Sequence, residues 1–123
     1  MKRVQQVSAA DFAREVLFSP LPVVVDVYAD WCGPCRALGP VLAKCAALYE
    51  GEVKFVKVNL DEEPDVAQVY RVEAVPTLLF FQRGELRDRV TGLPHPQAMV
   101  AKLDDLACRD DHRRTCTTSR CCG

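Results

Sequence analysis

No stretch of these 123 residues is apolar for long enough to cross a membrane, and the first residues are not expected to act as a secretory leader. Met1-Lys2-Arg3 carries positive charge, but Val4-Gln5-Gln6-Val7-Ser8 behind it is too polar for an h-region. A charge imbalance is missing too. Sixteen Lys and Arg against seventeen Asp and Glu leave a formal net charge of -1, which gives no ground for nucleic acid or an anionic membrane as partner. Metal ligands are scarce in residues 1–107. Besides Cys32 and Cys35 there are only Cys45 and His95, neither with a partner nearby, whereas tetrahedral zinc needs four ligands. What is left is one domain with 49% hydrophobic and 27% charged residues, long enough to bury a core unaided. The expected setting is cytoplasmic, where thiols stay reduced and a CxxC is more often catalytic than structural.

What the chain does have is seven cysteines, unevenly placed. Cys32, Cys35 and Cys45 lie in the body, and Cys108, Cys116, Cys121 and Cys122 in the last sixteen residues. Residues 108–123 contain no Val, Ile, Leu or Phe and cannot supply a conventional buried face. We therefore divide the chain into a domain over 1–107 and a Cys-rich polar tail over 108–123, expected to be disordered. Cys108, His112 and Cys116 fall at i, i+4 and i+8, so a continuing helix would put them on one face, with Cys121 or Cys122 to complete a zinc-compatible set.

The most informative segment is Trp31-Cys32-Gly33-Pro34-Cys35. It follows Val23-Val24-Val25-Asp26-Val27-Tyr28, a strand pattern apolar on both faces apart from Asp26, which implies a central position. It precedes a helix-forming stretch that runs to Tyr49. Two thiols separated by two residues can close and reopen a small disulfide. A thiolate at Cys32, just before the helix, is stabilised by the unpaired N–H groups and the macrodipole there, and the thiolate is the form that attacks disulfides.

Elsewhere the patterns predict a weak strand over 2–7 and a helix starting at Ser8, with Asp11 three residues on and Phe12, Val16 and Leu17 as its apolar stripe. Leu38, Leu42, Cys45 and Tyr49 form the buried stripe of the next helix, which Pro40 should kink. Residues 53–58 and 77–81 read as strands, and 59–71 as helical or irregular. Gly84-Glu85 reads as a hairpin turn into a strand over 86–91. A last helix begins near Pro96, with Ala98, Val100, Ala101, Leu103 and Leu106 as its apolar residues. The alternation describes an α/β domain, a mixed sheet with helices on both faces. Cys45 reads as a buried small hydrophobe and His95 as a solvated loop residue.

Phe12, Pro22-Val23-Val24-Val25-Asp26, Trp31-Cys32-Gly33-Pro34-Cys35, Pro40, Lys57, Asp61, Val75-Pro76-Thr77, Gly84 and Gly92 together resemble the thioredoxin family over about residues 3–107. The resemblance implies a five-stranded sheet in the order 1-3-2-4-5 flanked by four helices, with a cis peptide bond before Pro76. It implies Cys32 as an exposed nucleophile and Cys35 as the more buried resolving thiol. Asp26 is costly to bury unless neutral or paired. Its pKa should be raised and it can pass a proton to or from Cys35, with Lys57 on the adjacent strand as its partner. Trp31, Gly33, Pro34, Val75, Pro76 and Gly92 correspond to the family's apolar substrate-binding patch, where backbone beside Pro76 pairs with an extended segment. No bound cofactor or metal is implied; electrons come from NADPH through a thioredoxin reductase. Gly33-Pro34 between the cysteines points to a reductant, since oxidases and isomerases of this fold more often carry His at the second of these positions.

The expected function is a general protein dithiol–disulfide oxidoreductase, a monomer serving redox homeostasis, with the reductase and protein disulfides as partners. The alternative is a binding module that uses the same apolar face to dock in a larger complex. In the tail, Cys121-Cys122 before a terminal glycine is faintly similar to the redox tail of some large thioredoxin reductases, and exchange with Cys32 stands beside metal binding and inertness.

Overall fold

The fold is built outward from β2, Val23–Tyr28, whose residues are buried up to Tyr28 at its end. The computed structural model describes residues 4–110, with side chains described through Ala107. The element order is β1 (Val4–Gln6), α1 (Ala9–Phe12), β2, α2 (Gly33–Leu48), β3 (Lys54–Asn59), α3 (Pro64–Val69), β4 (Thr77–Gln82), β5 (Glu85–Thr91) and α4 (Pro96–Asp110). The sheet order is β1-β3-β2-β4-β5, as the resemblance implied. β1, β3 and β2 run parallel, while β4 is antiparallel to both β2 and β5.

Because β2 is central, alternate residues feed two separate cores. Val24 faces α2 and α4, packed with Leu38, Leu42, Tyr49, Met99 and Leu103. Val23, Val25 and Val27 face α1 and α3, packed with Phe12, Val16, Val66 and Ala67. Asp26 has the parity of Val24 and Tyr28, so it enters the sheet on the α2/α4 side.

Local chemistry sets the element ends. Ser8 caps α1, its Oγ accepting the Asp11 N–H at 3.3 Å, and the helix continues as a π turn over Ala13–Leu17. Pro40 lies inside α2 without ending it. Its ring removes one donor on the exposed side, where water can reach the orphaned carbonyl. His95 does more than sit in a loop. Its Nδ1 accepts the Gln97 N–H at 3.2 Å and helps start α4.

Two sequence expectations are corrected. The β4–β5 turn is Arg83-Gly84, one residue earlier than predicted, with φ of 54° and 79°. Two successive left-handed residues make the turn that matches strand twist, and an arginine in the first position disguised it. In α4 the buried stripe is Met99, Leu103, Leu106 and Ala107, at i, i+4, i+7 and i+8, while Ala98, Val100 and Ala101 face outward. The backbone of α4 runs to Asp110, three residues past the expected boundary. The proposals for His112, Cys116, Cys121 and Cys122, and for the side chain of Cys108, lie outside the described residues.

Candidate active site

β2 ends at Tyr28, and the chain turns through Ala29-Asp30-Trp31 into α2. Cys32 is the N-cap of α2, in an extended conformation with φ -91° and ψ 112°. Its Sγ accepts the Cys35 N–H at 3.2 Å, so the first sulfur sits where a helix presents unpaired donors. Pro34 in the first turn costs little, because the N–H it lacks would have no partner within the helix. Cys32 and Cys35 are joined by a disulfide, with Cα atoms 5.3 Å apart.

The sulfurs are less open than expected. Cys32 is 3% exposed and Cys35 6%, so exposure does not rank them as nucleophile and resolving thiol. In the closed disulfide both pack with Ala29, Tyr28 and Val75. What separates them is electrostatic: Cys32 Sγ, not Cys35 Sγ, receives the helix N-terminal hydrogen bond.

Trp31 is 66% exposed beside them, its Nε1–H donating to Asp61 Oδ2 at 2.8 Å. Gly33 and Pro34 are exposed, and a Cβ at Gly33 would meet nothing within 4 Å, so this surface is open above the disulfide. Val75-Pro76 is cis, as the resemblance implied. Gly92, at φ 87°, donates its N–H to the Pro76 carbonyl at 2.8 Å, which brings the end of β5 against that loop. Trp31, Gly33, Pro34, Val75, Pro76 and Gly92 are thus positioned by the end of β2, the start of α2, the entry to β4 and the exit of β5.

On β2, Asp26 is 5% exposed, and among the described residues its Oδ1 has no hydrogen-bond partner. Burial drives its pKa up from 3.8 to about 7, with the Lys57 charge acting in the opposite direction. Lys57 stands opposite Asp26 in the β2–β3 register. It does not close on the carboxylate: among the described residues no ion pair joins the two, and its Nζ lies 5.5 Å from the centre of the Tyr28 ring. Tyr28 and Asp61 are site residues whose contacts sequence reasoning missed. Strand alternation carried the signal for Tyr28, two residues from Asp26 and opposite Asn59.

Cys45 is buried on α2, and burial pushes its thiol pKa up. Among the described residues there is no group of three or more His, Cys, Asp or Glu able to hold a metal. None of the described helices is long and apolar enough to cross a membrane.

A buried disulfide at a helix N-terminus, a buried carboxyl of raised pKa on β2 and a cis-proline loop packed against the disulfide form the geometry against which similarity is judged. The family model described as Thioredoxin matches residues 3–105. This chain belongs to the thioredoxin family. The chain is 43% identical over 104 residues to the thioredoxin of Synechocystis sp., covering 85% of this chain and 97% of that one. It is 48% identical over 92 residues to thioredoxin 1 of Nostoc sp., covering 75% and 86%. The thioredoxin of Porphyra purpurea is 46% identical over 101 residues, covering 82% and 94%. The activity of a thioredoxin is protein-disulfide reduction by thiol–disulfide exchange, and the Cys32–Cys35 disulfide is the redox centre that this chain brings to it.

Proposed function

We propose that Cys32 is the attacking thiol and Cys35 the resolving one in a general cytoplasmic disulfide reductase. The observation that carries this order is the Cys35 N–H donated to Cys32 Sγ, a bond that favours the thiolate at Cys32 once the pair is reduced. The Cys32 thiolate attacks one sulfur of a substrate disulfide, forming a mixed disulfide and releasing the other substrate sulfur as a thiolate. Asp26 takes the Cys35 proton, and the Cys35 thiolate attacks Cys32 Sγ. The second substrate thiolate leaves and the Cys32–Cys35 bond closes, so two electrons pass to the substrate. A carboxyl with a pKa of about 7 suits that step, since a base works best near the operating pH.

Trp31, Gly33, Pro34, Val75, Pro76 and Gly92 form the docking face. The Pro76 carbonyl is already taken by Gly92, which leaves the backbone of Val75 to pair with an extended substrate segment. Electrons return from NADPH through a flavoprotein thioredoxin reductase, with no cofactor bound to this chain, which acts as a monomer.

The test is insulin reduction with NADPH and a bacterial thioredoxin reductase. Turnover is expected for the parent and none for Cys32→Ser. Cys35→Ser should accumulate a mixed disulfide through Cys32. Activity that survives Cys32→Ser refutes the mechanism. The reduction potential should lie near the family's reference of about -270 mV and away from the isomerase value near -180 mV.

A further inference from the structure

Lys57 and Asp26 share a register position on adjacent strands and the same face of the sheet, the arrangement in which an ion pair is expected. The ammonium has a different partner. Lys57 Nζ lies over the Tyr28 ring, 5.5 Å from its centre, while Asp26 Oδ1 keeps no hydrogen-bond partner. The ring itself is held by packing against the cluster of Ala29, Cys32 and Cys35.

We propose that Tyr28 is a positioning residue for proton transfer at Asp26: its ring takes up the Lys57 ammonium and keeps it from closing on the carboxylate. An ammonium over an aromatic face is attracted by the ring quadrupole, by about 0.5 to 2 kcal/mol depending on desolvation. That competes with the pull of a carboxylate only where the ring is already fixed, as it is here by packing on the disulfide. A closed pair would hold Asp26 ionised, and it would then no longer bind and release a proton near neutral pH.

Among the described residues, Lys57 is the charge that acts on Asp26. From β4, Asp26 faces Leu78. From α2 and α4 this face is covered by Leu38, Leu42, Met99 and Leu103. The Cys32–Cys35 pair does not titrate while the disulfide is closed. The charges acting on Tyr28 are Asp30, Glu62 and Asp26. Burial of the carboxyl raises its pKa and Lys57 alone opposes the shift. The position of that ammonium therefore decides how much of the rise survives.

The inference rests on Asp26 being the proton partner of Cys35, but its test does not use turnover. The Asp26 carboxyl is titrated by carbon NMR in the full-length oxidised protein and in five variants, one of them Lys57→Met alone. Tyr28→Phe keeps the ring and should leave the midpoint in place. Tyr28→Trp, with a stronger cation-binding face, should move it up. Tyr28→Leu frees the ammonium and should lower the midpoint by about half a pH unit or more. In a Lys57→Met background, Tyr28→Leu should have no such effect. A role of Tyr28 in burial alone predicts the same shift with and without Lys57, and that result overturns the proposal. So does a Tyr28→Trp midpoint at or below the parent's, which decides the matter even where Tyr28→Leu fails to fold. Should Asp26→Asn leave resolution by Cys35 unchanged while these midpoints move as stated, the base assignment falls and the Tyr28 contact stands.

Discussion

Replacing Asp26 by Asn should make the protein more stable, and by an amount that depends on pH in a defined way. The folded carboxyl has a pKa of about 7 against 3.8 for an unburied aspartate. Below the unfolded value both states are protonated and the group has no effect on stability. Between the two values the unfolded chain ionises while the folded one stays neutral, so stability falls by about 1.4 kcal/mol per pH unit. Above the folded value both are ionised and the full penalty, about 4 kcal/mol, is present. From about pH 5 to about pH 8 the parent should therefore lose roughly 3 kcal/mol from this one group. An asparagine cannot ionise and removes the slope. It also leaves an amide in a place where Oδ1 already lacks a partner, so the net gain at pH 8 is about 1 to 3 kcal/mol, smaller than the whole penalty by the cost of an unsatisfied group. Urea unfolding of the oxidised protein measures this directly: the midpoint of the variant should exceed the parent's by about 1 to 2 M at pH 8, and by little near pH 4. The same variant should slow resolution by Cys35 near neutral pH. Equal pH slopes for parent and variant refute both the burial argument and the assignment of Asp26 as a neutral carboxyl at mildly acid pH.

Gly84→Ala should cost about 1 to 2 kcal/mol from its left-handed backbone alone, and more because the new Cβ would stand 3.0 Å from the Leu17 carbonyl oxygen; thermal melts check this, and an unchanged melting temperature contradicts the Arg83-Gly84 turn. In reduced native protein, iodoacetamide should label Cys32 and spare Cys45, whose thiol is buried and raised in pKa; peptide mapping that finds Cys45 modified as fast as Cys32 refutes its inert role. A chain ending at Ala107 should fold and reduce insulin like the full one. Stoichiometric zinc in the full-length protein, lost on truncation together with melting temperature, would show a metal site in the tail, and a disulfide between Cys32 and Cys121 or Cys122 in partly oxidised monomer would show exchange.

How much of this was legible in the sequence depended on whether a residue's role is local or comes from its neighbours across the sheet. β2 was readable because the β-branched run Val23-Val24-Val25 and Val27 carries its own strand signal. Cys32 was placed at the start of α2 because Gly33-Pro34 can open a helix whose donors point back at the sulfur. The Arg83-Gly84 turn was misplaced because a left-handed arginine has no local signature, and only the pairing of Gln82 with Glu85 reveals it. Met99 was overlooked because Ala98, Val100 and Ala101 are apolar too, and composition alone does not say which stripe of α4 meets the sheet. Asp26 announced itself as a charge in a valine run, whereas its environment did not. That required the β2–β3 register, which sets Lys57 opposite it, and the packing of Tyr28 on the disulfide, which gives the ammonium another place to go. The chemistry of a buried carboxyl is set by what lies one strand away. A sequence shows that such a group is present, and the fold determines what proton affinity it has.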